Sequence, residues 1–557
     1  MKIISFHNSL EASAALYVNG TIKAAISEER FNRIKNFHGF PHKSINYLLK
    51  KFNINFADLD YVVYGMIDSI DPDAEADLKI REKLNTIQKQ YKKKFYERVD
   101  SEKKWNEIHL KQLYKYAKKN KFLKKLVLVD HHKSHAAGAY FTSPFKDAMV
   151  FTFDGKGGFK SSSIYKGKNK EFKRINFLTT FDSLGYFYGN ITRALGFKSE
   201  RHEGKVTGLA AYGKKTNLVK YFRSFIKLNN STINIKFGKN YLPWFLKKKN
   251  LPFFFKKLSQ YSKEDIAFAA QAILEESITY IIKKNLPKNK KTNICLAGGV
   301  MANVKLNQKI REIKNVKNVY VQPAMGDAGI AIGAIYAFLS KRNKISPKFL
   351  NTMSLGTSYE KQQIKKKLIK ENIIFNYNKD ISKVLIDEMK KNKIVGYFSD
   401  RMEFGPRALC NRSILYHGKD KSINTWLNNK LHRTEFMPFA PVTIEEYAKD
   451  CFVGWNKNDV AGNFMTMTYK CTPRFIKSCP ASVHIDNTAR PQIIKKSNKV
   501  FHKILKNYLI KTGEMALINT SFNKHEEPIV ESIDDAIHAF KNKIIDTLII
   551  ENFVISK

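Results

Sequence analysis

Between Ser262 and Leu339 the chain reads as helix, strand, glycine turn, strand and helix, an order that an α/β fold accommodates. Ser262, followed three residues later by Asp265, is a capping pattern for a helix start. Apolar residues then recur at Ile266, Ala269, Ala270, Ile273, Leu274, Ile278 and Ile281, the spacing of one helix face, until Pro287 stops the run. Asn293–Ala297 reads as a strand that runs into Gly298-Gly299. Val319–Gln322 reads as a second strand closed by Pro323, with a helix starting near Asp327.

At 557 residues the chain is too long for one hydrophobic core, so two or more domains are expected. The first residues read as strands, with Ala14–Tyr17 and Ile22–Ile26 flanking a hairpin turn at Asn19-Gly20. A Lys- and Glu-rich stretch from about Glu75 to Lys125 reads as a solvated helical insertion. Strands resume at Leu126–Val129 and Ala148–Phe153, and a new set appears at Ile394–Tyr397, Met515–Asn519 and Thr547–Ile550. The change of character near 345–360 predicts domains over 1–350 and 351–557.

Hydrophobic residues at 43% and aromatics at 13% indicate a globular chain. Its 98 Lys+Arg against 50 Asp+Glu leave a net charge of +48. A polyanion partner and a plain compositional bias both account for that charge. The lysines run from end to end rather than in one stripe, which favours bias and predicts no specific nucleic-acid partner. Five cysteines with no CxxC spacing argue against a disulfide framework and a cysteine zinc site. The longest apolar run, Ile330–Leu339, is well short of the roughly 20 residues that cross a bilayer. With no signal peptide before Lys2–Phe6, the expectation is a soluble cytoplasmic protein.

The sharpest local motif is Asp130-His131-His132-Lys133-Ser134-His135. On a helix, His131 and His135 share a face and can hold one metal ion, while His132 points elsewhere. The same spacing also arises between ordinary surface histidines. Two acidic residues in glycine loops strengthen the metal reading. Asp154 precedes Gly155-Lys-Gly157-Gly158 at a strand end, and Asp327 lies in Gly326-Asp-Ala-Gly329. Asp at a turn or helix cap is the bland alternative for each. Two His and two Asp together suit Fe(II), Mn or Zn. Glu203-Gly-Lys205-Val-Thr-Gly208 and Ala297-Gly-Gly-Val-Met-Ala-Asn303 are flexible loops suited to an anion or ribose. In the second half, Arg401-Met-Glu403-Phe-Gly-Pro-Arg407, Arg433, Arg490 with Gln492, and Asn519-Thr-Ser521-Phe-Asn523 gather several arginines and hydroxyls. One such Arg is usually structural, but several in one domain favour an anionic ligand.

These blocks, in this order, resemble the O-carbamoyltransferase family that includes the nodulation-factor, cephamycin and aminoglycoside enzymes. The likeness runs from Ile3 to about Ala536 and is most specific in Arg401–Leu409 and Asn519–Asn523. It implies an N-terminal split domain of the actin and sugar-kinase type and a C-terminal YrdC-like α/β domain. The first would hold a divalent metal, Fe(II) in preference to Mn or Zn, on His131, His135, Asp154 and Asp327. It would also hold an adenylate near Lys205, Gly155, Gly298, Gly299 and Asn303. The second would bind carbamoyl phosphate and ATP, with Mg, near Arg407, Arg433, Arg490, Ser521 and Asn523. The implied activity is formation of carbamoyl-adenylate and transfer of its carbamoyl group to a hydroxyl of a small molecule or glycoside. A homodimer is compatible with this. Leu10 stands where relatives carry a histidine, so His7, Glu11 and Asp130 are the expected acid/base candidates. The alternatives are a tRNA modifier using similar adenylate chemistry and a nucleotide-sensing scaffold.

Overall fold

A computed structural model describes residues 1–67, 74–242 and 252–556. The chain divides into two compact units: Met1–Ala25 with His38–Leu350, and Ile26–Phe37 with Asn351–Lys557. The short segment 26–37 therefore leaves the N-terminal unit and packs with the C-terminal one. Its arginines explain why. Arg30 donates to the Gly405 carbonyl at 3.0 Å, and Arg33 donates to the carbonyls of Ile529 and Pro528, each at 2.8 Å. These carbonyls lie in irregular backbone with no ladder partner, and the guanidinium forks satisfy them.

The first unit carries two five-stranded sheets built to the same plan. One has the order Thr21–Ser27, Ser13–Val18, Lys2–His7, Tyr61–Ile67, Leu126–Asp130. Lys2–His7 pairs antiparallel with Ser13–Val18 and parallel with Tyr61–Ile67, which is itself parallel to Leu126–Asp130. The other has the order Glu171–Thr179, Lys160–Lys168, Asp147–Gly157, Thr292–Ala297, Val316–Val321, with the antiparallel pairs and the parallel pairs in the same places. A repeated sheet of three meandering strands and two parallel ones is the actin and sugar-kinase architecture expected for this half.

Two buried helices, His131–Phe141 and Ile330–Lys341, pack against each other in this unit. They meet at glycine. A Cβ on Gly333 would lie 1.9 Å from the Ser134 carbonyl oxygen, and one on Gly138 would lie 3.2 Å from the Gly333 Cα. Small residues let the backbones approach closely, so the two helix starts, with Asp130 and His131 on one and Asp327 just before the other, are brought together. Ile330–Lys341 is apolar on every face because it is buried on every face. Among the described residues, no helix is long and apolar enough to cross a membrane.

The charged insertion forms the helices Ala74–Asn85 and Lys89–Lys119. It is not solvated throughout. Phe95, Glu102, Asn106, Leu110, Leu113 and Ala117 of the 31-residue second helix are buried. The charge pattern described the outer face and concealed the inner one.

The second unit is an α/β fold on one eight-stranded mixed sheet. Its central strands are Thr547–Ile550, Val395–Phe398, Arg412–His417, Leu517–Ser521 and Ala440–Ile444. Helices Ile381–Lys390, Lys499–Thr512 and Ile533–Lys541 contribute Leu385, Leu505, Tyr508 and Ile537 to its apolar core.

Candidate functional site

His131 and His135 sit one turn apart on the first helix, fully buried, and their imidazoles reach two carboxylates delivered from elsewhere in the unit. His135 Nε2 lies 3.2 Å from Asp154 Oδ2 and 3.4 Å from Asp327 Oδ1; His131 Nε2 lies 3.4 Å and 3.9 Å from the same oxygens. One ligand atom from each of the four residues falls within 4.8 Å of the others. His135 Nε2 is buried yet makes no hydrogen bond among the described residues, being in line with neither carboxylate. An orphaned nitrogen between two anions is what a cation at the centre of the quartet would resolve, and the donor set fits a divalent first-row metal. The carboxylate side chains remain 14% and 15% exposed, which leaves an approach for a further ligand. Burial pushes the His135 pKa down, but the two carboxylates outweigh it and raise it to about 9; the histidines in turn hold Asp154 far below the usual carboxylate range.

The neighbours of this quartet are fixed. His131 Nδ1 faces Met66 Sδ at 3.2 Å, Gly155 N donates to Asp154 Oδ1 at 2.7 Å, and Ser9 Oγ donates to Asp327 Oδ2 at 3.2 Å. His132 points away, with its ring nitrogens 2.8 Å from Thr152 Oγ1 and 3.0 Å from the Lys160 carbonyl.

The three acid/base candidates separate. His7 is fully buried at the end of its strand, with Nδ1 2.9 Å from Ser9 Oγ and Nε2 3.1 Å from Ser13 Oγ. Through Ser9 it is one hydroxyl from Asp327. Burial lowers its pKa to about 3, against the pull of Asp327, so it is neutral at ordinary pH. Glu11, in a left-handed conformation, instead accepts from Ala328 N at 3.3 Å and supports the turn that presents Asp327. Asp130 caps its helix by accepting from Lys133 N at 2.7 Å and pairs with Lys160. Both hold backbone.

The glycine loop after strand Thr292–Ala297 abuts the quartet. Gly298 has φ 96°, and a Cβ there would lie 2.2 Å from the Phe153 carbonyl oxygen; a Cβ on Gly299 would come 3.3 Å from Asp154 Oδ1. Gly155 packs against the Tyr186 ring. Lys205 is buried in the helix Glu203–Leu209, with its ammonium 5.9 Å from the Phe197 ring. Asn303 is committed to structure: its Oδ1 caps the following helix at Leu306 N, and its Nδ2 donates to Gln271 and Thr207.

In the second unit the arginines divide into braces and a pair with unused donors. Arg401 donates to the carbonyls of Leu355 and Gly356. Arg412, wholly buried over the Phe398 ring, donates to the carbonyls of Ser399, Asp400, Asn411 and Thr357. Arg401 is thus a brace and not half of an anion clamp. Arg433 binds the segment after strand Leu517–Ser521, donating to Thr520 Oγ1 at 2.5 Å, Ser521 O at 2.8 Å and Asn523 O at 3.1 Å. By contrast, Arg407 Nε and Arg490 Nε are buried with no hydrogen-bond partner among the described residues. Burial drives the Arg490 pKa well down and the charge of Arg407 drives it further, with Glu435 opposing. Guanidinium groups with donors unspent can bind an anion.

Glu403 organises that site, and sequence reasoning gave it no role. Its Oε1 accepts from the backbone N–H groups of Leu409, Asn411 and Arg412 at 2.6, 2.8 and 3.2 Å, closing the loop that carries Arg407. Ser9, the link from His7 to Asp327, was also missed; a serine in a strand-end loop carries no signal of its own.

Family models described as the carbamoyltransferase N-terminus and the carbamoyltransferase C-terminus match residues 2–336 and 386–557. An uncharacterized protein of Methanocaldococcus jannaschii is 33% identical, over 100% of this chain and 99% of its own. Nodulation protein NolNO of Sinorhizobium fredii is 28% identical over 98% of this chain and 79% of its own, and nodulation protein NolO of Bradyrhizobium diazoefficiens is 30% identical over 77% and 79%. Among solved structures, component A of Acidaminococcus fermentans (R)-2-hydroxyglutaryl-CoA dehydratase aligns with 62% of this chain and 99% of its own, at 13% identity and a TM-score of 0.34.

Proposed function

The chain belongs to the carbamoyltransferase family, and from that premise we propose that it is an ATP-dependent O-carbamoyltransferase with separate sites for activation and transfer. The observation that carries the reading is the Arg407–Arg490 pair, whose unspent Nε donors suit the phosphates of carbamoyl phosphate and ATP. In the second unit, water releases carbamate and phosphate from carbamoyl phosphate. A carbamate oxygen then attacks the ATP α-phosphorus, the bond to the β-phosphate breaks, and pyrophosphate leaves. Arg407 and Arg490 stabilise the charge on these phosphates. Arg433 keeps Ser521 and Asn523 in place beside them.

Carbamoyl-adenylate is then used in the first unit, with the Gly298-Gly299 loop as its seat. His131, His135, Asp154 and Asp327 would hold a divalent metal, Fe(II), Mn or Zn, whose chemistry there is Lewis-acid polarisation of the carbamoyl oxygen. The acceptor hydroxyl attacks the carbamoyl carbon, AMP leaves, and the proton passes toward His7, which Ser9 links to Asp327. The acceptor is a hydroxyl of a small molecule or glycoside.

The test measures both half-reactions in two variants. Arg407→Ala is expected to release no pyrophosphate from ATP and carbamoyl phosphate, yet to transfer from preformed carbamoyl-adenylate. His135→Ala is expected to release pyrophosphate and fail at transfer. Loss of both halves in either folded variant overturns the division.

A further inference from the structure

An acceptor hydroxyl needs a surface beside the quartet, and the helix Lys89–Lys119 carries an unusual one. Glu102, Trp105, Asn106 and His109 stand at i, i+3, i+4 and i+7, so they form one stripe of that helix. Further along, the same helix buries Leu110, Leu113 and Ala117, as an ordinary amphipathic helix does. The stripe from 102 to 109 is polar and aromatic instead. Asn106 Nδ2 and His109 Nδ1 are buried there without a hydrogen-bond partner among the described residues. Buried polar atoms left unpaired cost about 1–3 kcal/mol each, so a helix that keeps two of them is paying for something other than stability.

The stripe faces the metal-site strand. Lys156, two residues beyond Asp154, pairs with Glu102 and lies 5.3 Å from the Trp105 ring. Trp105 and His109 rings are 3.8 Å apart, and the His38 ring stacks on His109 at 5.9 Å and an interplanar angle of 11°. His38 is exposed and Trp105 and His109 are partly so, which leaves an aromatic shelf open on one side. Lys156 and Asp154 lie on one strand, two residues apart, and this places the shelf beside the quartet. Glu102 is shared between Lys156 and Arg98, so recognition on the shelf rests on its aromatic faces and on the unpaired Asn106 and His109 nitrogens, which suit a ring bearing hydroxyls.

We propose that this shelf is the acceptor subsite and that the acceptor is a glycoside, its sugar ring lying against Trp105 with ring hydroxyls on Asn106 and His109. The assignment rests on the transfer reading above. The acceptor-binding element is then the insertion, which packs on the first sheet through Leu110, Leu113 and Ala117.

Saturation-transfer NMR with the full-length protein tests it, using methyl glucoside and methyl N-acetylglucosaminide as probes. The parent is expected to bind at least one of them. Trp105→Ala should bind it about tenfold more weakly, the scale of one aromatic stacking contact. Trp105→Phe, which keeps a ring face, should retain most of the binding and guards against a folding defect in the alanine variant. Added AMP should not displace the glycoside. Failure of the parent to bind either probe, equal binding by Trp105→Ala, or displacement by AMP overturns the proposal. Pyrophosphate release by the parent, measured without acceptor, judges the transfer reading separately: release without glycoside binding sinks the shelf alone, and glycoside binding without release sinks the transfer reading alone.

Discussion

Gly157→Ala should weaken metal binding at the proposed quartet without replacing any of its four residues. The added methyl would lie 2.2 Å from His131 Cδ2, 2.6 Å from Cγ and 2.8 Å from Nε2. Carbon atoms settle at about 3.5–4.0 Å, so the ring must retreat by more than ~1 Å. It has nowhere to go, since His131 is fully buried with Met66 Sδ against Nδ1. Metal sites tolerate ligand displacements of only about 0.2 Å. Disturbing groups around the ligands typically costs ~10- to 100-fold in affinity, and a displaced ligand should reach at least the upper end of that range. Overpacking should also cost about 1–3 kcal/mol of stability. Metal content by plasma emission after dialysis, and Co(II) titration followed by visible absorption, read the affinity directly. Gly204→Ala is the control, because a methyl there meets nothing within 4 Å. A cooperatively folded Gly157→Ala protein that binds Co(II) as tightly as the parent would refute the reasoning.

Arg490→Met should raise the melting temperature while abolishing pyrophosphate release, because it removes a buried cation beside Arg407; a lower melting temperature would show that Arg490 is paired in solution. Glu403→Gln should cost about 2–4 kcal/mol and most pyrophosphate release, since three backbone donors lose a charged acceptor; denaturant unfolding checks the first and a coupled phosphate assay the second. His132 has its pKa lowered by burial from 6.5 to about 3. Below pH 6.5 the unfolded chain therefore takes a proton that the folded chain refuses, and stability falls as pH falls through that window. Between pH 6.5 and 5 this amounts to about 2 kcal/mol. His132→Gln should flatten the loss of melting temperature across that range, and an unchanged slope would clear His132.

The quartet was legible because its geometry is local. His131 and His135 are one helical turn apart, and Asp154 and Asp327 each end or follow a strand in a glycine-rich turn, where strand ends of an α/β unit converge. The arginines were legible as a group but not one by one. Arg401 and Arg407 flank the same Gly-Pro turn, yet one meets carbonyls of a distant loop and the other keeps its Nε unspent, and that difference depends on residues 355 and 356. Asp130 and Glu11 are acid/base candidates by sequence, where a carboxylate near a site looks the same whether it faces substrate or a backbone N–H. The insertion misled for a simpler reason: its outer lysines dominate the composition, and the stripe from Glu102 to His109 contains no apolar periodicity to announce an inner face.

The segment 26–37 is made early and finds its partners late. Arg33 and the Ile529 carbonyl it binds are 496 positions apart. At ~5–20 residues per second, a ribosome needs on the order of half a minute to two minutes to bring the second within reach of the first. During that interval the strands on either side of the segment can pair while the segment itself hangs from them, two arginines without carbonyls. A recombinant piece beginning at Asn351 would meet the converse difficulty, with the carbonyls of Gly405, Pro528 and Ile529 formed and no guanidinium to receive. The two halves of this chain are consequently poor candidates for separate expression or for exchange between relatives as cassettes cut at residue 350, and any such exchange has to carry residues 26–37 along with the C-terminal half.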